Sequence, residues 1–204
     1  VAISSARLSA KTDNAPQAFK AKVDIRRRVL AAVGEARVFD AFAGAGEMYS
    51  AVWKEAASYT GCDLKRHFDG RLMFCADNRR VLRAVDLRPF NLFDLDAWGS
   101  PFEQALIVAA RRKVARGELI GLTLTEGAGI GQKMGNVAHV ISMLTGLKAG
   151  NGSLPGLGRA RDHVFSLALR GLAKRMNCDL VNQWRAMGKT GQQMIYCGCI
   201  LRGR

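Results

Sequence analysis

Apolar residues recur along this chain at two periods, and the switches between them outline its elements. Through a lysine- and arginine-rich segment, Phe19, Val23, Leu30 and Val33 keep helical spacing after the start signal Asn14-Ala15-Pro16, which predicts a basic amphipathic helix. A short run, Arg37-Val38-Phe39, then meets a turn with glycines at 44 and 46, and Met48, Val52, Ala56 and Tyr59 resume the helical period. Strands are predicted at residues 59–62, 71–75, 91–95 and 119–124, with helices near 79–85 and 102–116. This alternation predicts an α/β fold whose parallel sheet is covered on both faces. Further on, Val164, Leu167, Gly171 and Leu172 line the inner side of a helix, and Arg159, Arg170 and Lys174 its outer edge. Residues 146–158, with five glycines and Pro155, read as a loop, and residues 179–187 and 192–201 as a terminal hairpin turning at Gly188-Lys189-Thr190-Gly191. Residues 1–36 are expected to form a basic helical extension packed on a domain of residues 37–204.

The turn Asp40-Ala41-Phe42-Ala43-Gly44-Ala45-Gly46-Glu47 lies between strand and helix, where glycine permits a tight bend and close approach of a ligand to the backbone. Asp63 follows Gly44 by 19 residues, about the interval of roughly 20 at which an adjacent strand delivers a carboxylate to a ribose diol. Position 49, where a dinucleotide fingerprint wants its third glycine, is Tyr, so a cofactor without a pyrophosphate fits better. A second glycine-rich stretch, Thr125-Glu126-Gly127-Ala128-Gly129-Ile130-Gly131, also follows a strand. No acid occurs between Glu126 and Asp162, which leaves this stretch as a mobile loop with no ribose partner.

The run VFDAFAGAGEM resembles the first motif of the Rossmann-like, class I methyltransferases that use S-adenosylmethionine. The resemblance implies a mostly parallel seven-stranded sheet ending in an antiparallel hairpin. It also implies that Asp40 sits near the methionine amino group, that Phe42, Gly44 and Gly46 border the cofactor, that Asp63 holds the ribose and that Asp77 meets the adenine amine. Downstream, Asp94-Leu95-Asp96-Ala97-Trp98-Gly99-Ser100-Pro101 resembles the DPFGSP segment of the tRNA guanine-26 dimethyltransferase family, with Ala97 in place of the proline. An exocyclic amine is a poor nucleophile until its lone pair leaves the ring. By this resemblance Asp96 accepts its N–H, Trp98 stacks on the base, and Asp94, two residues earlier on the same face of an extended chain, is a second acceptor. The same residues also suit an ordinary helix start at Phe102. In the methyltransferase arrangement Glu126 would lie on the substrate side.

Charge adds a partner to this picture. Thirty-one Lys and Arg against 17 Asp and Glu leave a net charge of +14, which points to a polyanion, and Arg111, Arg112 and Lys113 are the basic block assigned to its phosphates. The five cysteines form no C-x-x-C pair and the three histidines are scattered, so neither a metal nor a disulfide framework is predicted, and a reducing cytoplasm is expected. No apolar run approaches the roughly 18 residues a bilayer needs. The leading expectation is methyl transfer to an exocyclic amine of a nucleic-acid base, RNA before DNA because little room remains for a major-groove recognition region. Its alternatives are a small DNA amino methyltransferase of low specificity and a non-catalytic nucleic-acid-binding or assembly protein on a degenerate methyltransferase fold. A nicotinamide oxidoreductase ranks last for want of the third glycine.

Overall fold

A computed structural model of the chain describes residues 16–127, 135–148, 154–187 and 194–204. Helix α1 (Pro16–Val33) leads into β1 (Arg37–Asp40), the glycine turn, α2 (Glu47–Ala51) and a 3-10 turn at Trp53–Glu55. Next come β2 (Ser58–Asp63), β3 (Met73–Cys75), α3 (Asn78–Ala84), β4 (Leu92–Leu95), α4 (Phe102–Arg111) and β5 (Leu119–Glu126). Helices α5 (His139–Thr145) and α6 (Arg161–Arg175) precede the terminal strands β6 (Cys178–Met187) and β7 (Ile195–Gly203). Among the described residues the strands form one seven-stranded sheet in the order β3-β2-β1-β4-β5-β7-β6. β1 to β5 run parallel, and β7 is antiparallel to both β5 and β6. The chain leaves β1 toward β2 on one side and returns to β4 on the other. A crevice therefore opens at the carboxyl ends of β1 and β4.

Strand periodicity divides the core between the two faces. Phe39, Phe93, Ile120 and Leu122 pack with α3, α4 and α6, whereas Val38 and Leu92 pack with Val23 and Val29 of α1 and with Trp53. By the same alternation Asp40 and Asp94, paired across β1 and β4, face α1. The sheet makes room for α1 with glycine. A Cβ at Gly198 would lie 2.5 Å from Val29 Cγ2 and 2.8 Å from Ile25 Cγ2, and one at Gly121 would lie 2.6 Å from Val29 Cγ1. Gly198→Ala should overpack this seam and lower stability by about 1–3 kcal/mol, read as a shift of the denaturant midpoint.

Several elements depart from the sequence expectation. Helix α1 buries Ala18, Val23, Ile25, Arg26 and Val29, so its inner stripe is rotated away from Phe19. The helix after the glycine turn stops at Ala51, where Val52 (φ −141°, ψ −56°) turns the chain and brings Trp53 inside. Helix α4 ends at Arg111 because Arg112 is extended, and α5 answers to no predicted element. Residues 128–131 of the second glycine stretch and the hairpin turn at 188–191 lie outside the described residues.

Candidate active site

The crevice holds a cavity of about 840 Å³, lined by Pro16, Phe19 and Lys22 of α1, by Asp40, the glycine turn and part of α2, and by Asp94 and Asp96. Its floor is an ion-pair network under α1. Asp94 is fully buried and accepts four hydrogen bonds: from Arg26 Nε and Nη2 (2.7 Å each), Trp53 Nε1 (2.8 Å) and Thr123 Oγ1 (2.7 Å). Burial alone would lower the Arg26 pKa, but Asp94 and Asp96 raise it above the ordinary guanidinium value. Two donors on each oxygen use up the carboxylate's four acceptor sites, so Asp94 has none left for a substrate amine. This corrects its expected role as second acceptor: Asp94 anchors α1 to the sheet.

Asp96 lies one strand period beyond Asp94, at the mouth. Its Oδ2 is 3.0 Å from Lys22 Nζ and 3.2 Å from Arg26 Nη2. Burial would push its pKa up, but Arg26 and Lys22 hold it below the usual carboxylate value, so Asp96 is an anion suited to accept a hydrogen bond and unsuited to keep a proton. Trp98, in contrast, is 64% exposed and outside the cavity lining. The loop carrying it is pinned at Ser100, whose Oγ donates to Glu126 Oε2 at 2.7 Å, and at Gly99, whose carbonyl accepts from Gly127 N. Glu126 is buried at the end of β5, where its carboxylate accepts from this loop and its backbone carbonyl accepts from Arg161 Nη2 at 3.2 Å.

Asp40 accepts from Phe42 N (3.1 Å) and Tyr59 Oη (3.0 Å). Burial and the neighbouring Asp94 push its pKa up to about 8, against the donated hydrogen bonds. A carboxyl raised in the folded state keeps a proton that the unfolded chain releases near pH 4. Its contribution to stability is complete below that pH and is lost as pH rises through about 8. Stability should therefore fall by up to about 1.4 kcal/mol per pH unit between pH 5 and 7, and Asp40→Asn should flatten that slope in denaturant titrations.

The glycine turn is braced from outside. Arg71 donates to the carbonyls of Ala43 (3.1 Å) and Gly44 (2.8 Å) and is held by Asp69. Gly46, at φ +86°, lies so close that a Cβ there would be 2.9 Å from the Arg71 guanidinium carbon. The amides of Ala43, Gly44 and Gly46 are spent on Cys62 O, Asp63 Oδ2 and Ala43 O. A turn with its N–H groups turned inward is no phosphate cradle, which agrees with the incomplete pyrophosphate fingerprint.

Asp63 ends β2, and its two oxygens each accept one backbone amide, from Gly44 and from Lys65, leaving acceptor capacity for hydroxyls. Asp77 caps α3 and is tied to Arg79, whose hydrogen bonds lower its pKa to about 2. Neither lines the cavity, although both stand at carboxyl ends of neighbouring strands. The structure separates Arg111, Arg112 and Lys113 from all of these. A crossover helix runs antiparallel to its strands, so the end of α4 lies beside the start of β5, at the amino ends of the strands and away from the crevice. Arg112 is itself buried against Glu118 and the Phe90 carbonyl. The residues that sequence reasoning missed are Lys22, Arg26, Trp53 and Arg71. A signal existed for Arg26 alone, since it falls between Val23 and Leu30 on the apolar side of α1.

No known family model matches the sequence, and no curated protein matches it. Solved structures do match its fold. Trm1 from Pyrococcus horikoshii, bound to S-adenosyl-L-methionine, aligns with TM-score 0.58 and 15% identity over 92% of this chain, which spans 55% of that protein's chain. TYW2 from M. jannaschii, bound to AdoMet, aligns with TM-score 0.55 and 11% identity, covering 91% of this chain and 77% of the other. A 1,6-didemethyltoxoflavin-N1-methyltransferase from Burkholderia thailandensis, bound to that compound and S-adenosylhomocysteine, gives TM-score 0.52 and 12% identity over 92% and 80%. Strand order, the antiparallel β7 and these alignments agree: the chain has the Rossmann-like methyltransferase fold.

Proposed function

We propose that the chain is an S-adenosylmethionine-dependent methyltransferase that modifies an exocyclic amine of a nucleic-acid base, RNA in preference to DNA. The observation that carries this reading is the placement of Asp96, an anion at the end of β4, in the same cavity as Asp40 and the glycine turn. Asp40, whose proton a bound ammonium would displace, would hold the cofactor's amino group, Gly44 and Gly46 would border its methionine arm, Asp63 would accept from the ribose and Asp77 would face the adenine amine. S-adenosylmethionine supplies a methyl group on a sulfonium. The acceptor nitrogen gains that carbon as the carbon–sulfur pair leaves with sulfur, and the amine's proton passes to solvent. Asp96 aligns the N–H and stabilises the positive charge growing on nitrogen. The likeness of DLDAWGSP to the DPFGSP segment belongs to this proposal, as does Trp98, whose exposed indole offers a base a stacking surface. Nucleic acid is favoured because α1, which borders the cavity, carries exposed Lys20, Arg27 and Arg28, on a chain of net charge +14.

The test is incubation with methyl-labelled cofactor and separate pools of RNA, DNA and small amino-heterocycles, followed by identification of the labelled product. Label in an N-methylated RNA nucleoside is the expected result. Label confined to DNA or to the small compounds replaces the substrate, and no transfer to any pool returns the chain to a nucleic-acid-binding protein on this fold.

A further inference from the structure

Lys22 reaches the cavity from the face of α1 that also carries Pro16 and Phe19. Its ammonium lies 3.0 Å from Asp96 Oδ2 and 5.5 Å from the centre of the Tyr196 ring. The two charged side chains are similarly accessible, 20% for Lys22 and 17% for Asp96, so the pair opens onto the cavity together. An amine accepted by Asp96 stands close to Lys22, which is bound to the same carboxylate. An ammonium has three N–H groups; one points to Asp96, and an ion so placed can direct another to a ligand without leaving its partner. The cavity thus presents an anionic acceptor and a cationic donor side by side.

We infer that Lys22 and Asp96 together read an amidine edge, an amino group on a ring carbon beside an unprotonated ring nitrogen. Asp96 accepts from the amino N–H, and Lys22 donates to the ring nitrogen. This rests on the reading above that the acceptor is a base amine, and it specifies which edge of the base enters. Adenine and cytosine offer the arrangement on their pairing edges. Guanine offers it only from its N3 side, because its N1–H would set a donor against the Lys22 ammonium. An aliphatic amine or an amine on a plain aromatic ring leaves Lys22 without an acceptor. Phe19, one helical turn before Lys22, supplies an aromatic surface to the same cavity.

Two small probes isolate the ring nitrogen. 2-Aminopyrimidine carries the amine between two unprotonated ring nitrogens, and aniline has the same ring size and amine with none. Measured by ligand-observed NMR titration on the unmodified protein at neutral pH, 2-aminopyrimidine should bind about tenfold tighter, the worth of one hydrogen bond from a charged donor. Lys22→Met, which keeps the stem and loses the donors, should bring the two affinities within about twofold, with its thermal melting recorded to confirm a folded protein. Equal affinities in the unmodified protein, binding of neither probe, or a preference that survives in folded Lys22→Met would each overturn the inference. A preference for 2-aminopyrimidine without methyl transfer to any pool would reject the proposed reaction and keep the edge reading. Methyl transfer to a nucleic acid without that preference would do the reverse.

Discussion

Arg26→Met should destabilise the protein by about 3–5 kcal/mol, the cost of breaking a buried ion pair from one side. The substitution keeps much of the side chain's length but strands Asp94, which is fully buried and would retain only Trp53 Nε1 and Thr123 Oγ1 as donors. Asp96 would lose a cation at the same time, leaving Lys22 as its partner. Denaturant unfolding measures the loss. The double variant Arg26→Met with Asp94→Asn removes the stranded charge, leaving the amide oxygen for Trp53 Nε1 and an amide N–H that the Thr123 hydroxyl can accept. It should therefore be more stable than the sum of the single effects by at least about 1 kcal/mol. Additive effects, or an Arg26→Met protein within about 1 kcal/mol of the original, would mean that packing alone holds α1 to the sheet.

This network also shows why the chain's charge is hard to apportion from sequence. Arg26-Arg27-Arg28 reads as one basic block, yet the structure buries the first and exposes the other two. Arg111-Arg112-Lys113 divides in the same manner, its middle residue buried against Glu118. Helical and post-helical geometry spreads consecutive side chains around the axis, so a run of like residues cannot share one environment. The partner of each buried arginine is distant in sequence or contributes no motif, and only the fold brings Asp94 to Arg26.

The sheet was more legible, because a strand buried on both faces must be apolar throughout and parallel strands need helices between them. Residues 91–95 and 119–124 announced β4 and β5 in that way, and the terminal hairpin followed from two long runs about a glycine turn. Asp40 and Asp63 were legible for the same reason, since each ends the run of its strand. The uses of the acids were not. Asp94 and Asp96 lie on one face, two residues apart, and differ in that one lies beneath α1 with every acceptor site filled while the other opens to the cavity. Depth under a helix 68 residues earlier in the chain sets that difference, and no local pattern encodes it.

Asp96→Asn is therefore the substitution on which the catalytic reading stands. It keeps the shape at the end of β4 and an oxygen to accept with, but removes the negative charge that two cations hold ionised. If Asp96 stabilises charge growing on the acceptor nitrogen, single-turnover methyl transfer should slow by about two to four orders of magnitude. Cofactor affinity by calorimetry should stay within about threefold, because the groups proposed to hold the cofactor are Asp40, Asp63, Asp77 and the glycine turn. The two measurements separate this role from a structural one. A carboxylate that serves only to hold Lys22 and Arg26 would, when neutralised, release Lys22, leave Arg26 to Asp94 alone and lower the melting temperature, while the folded fraction kept its turnover. Slow transfer with intact cofactor binding and a melting temperature near that of the parent protein places the charge of Asp96 at the reacting amine.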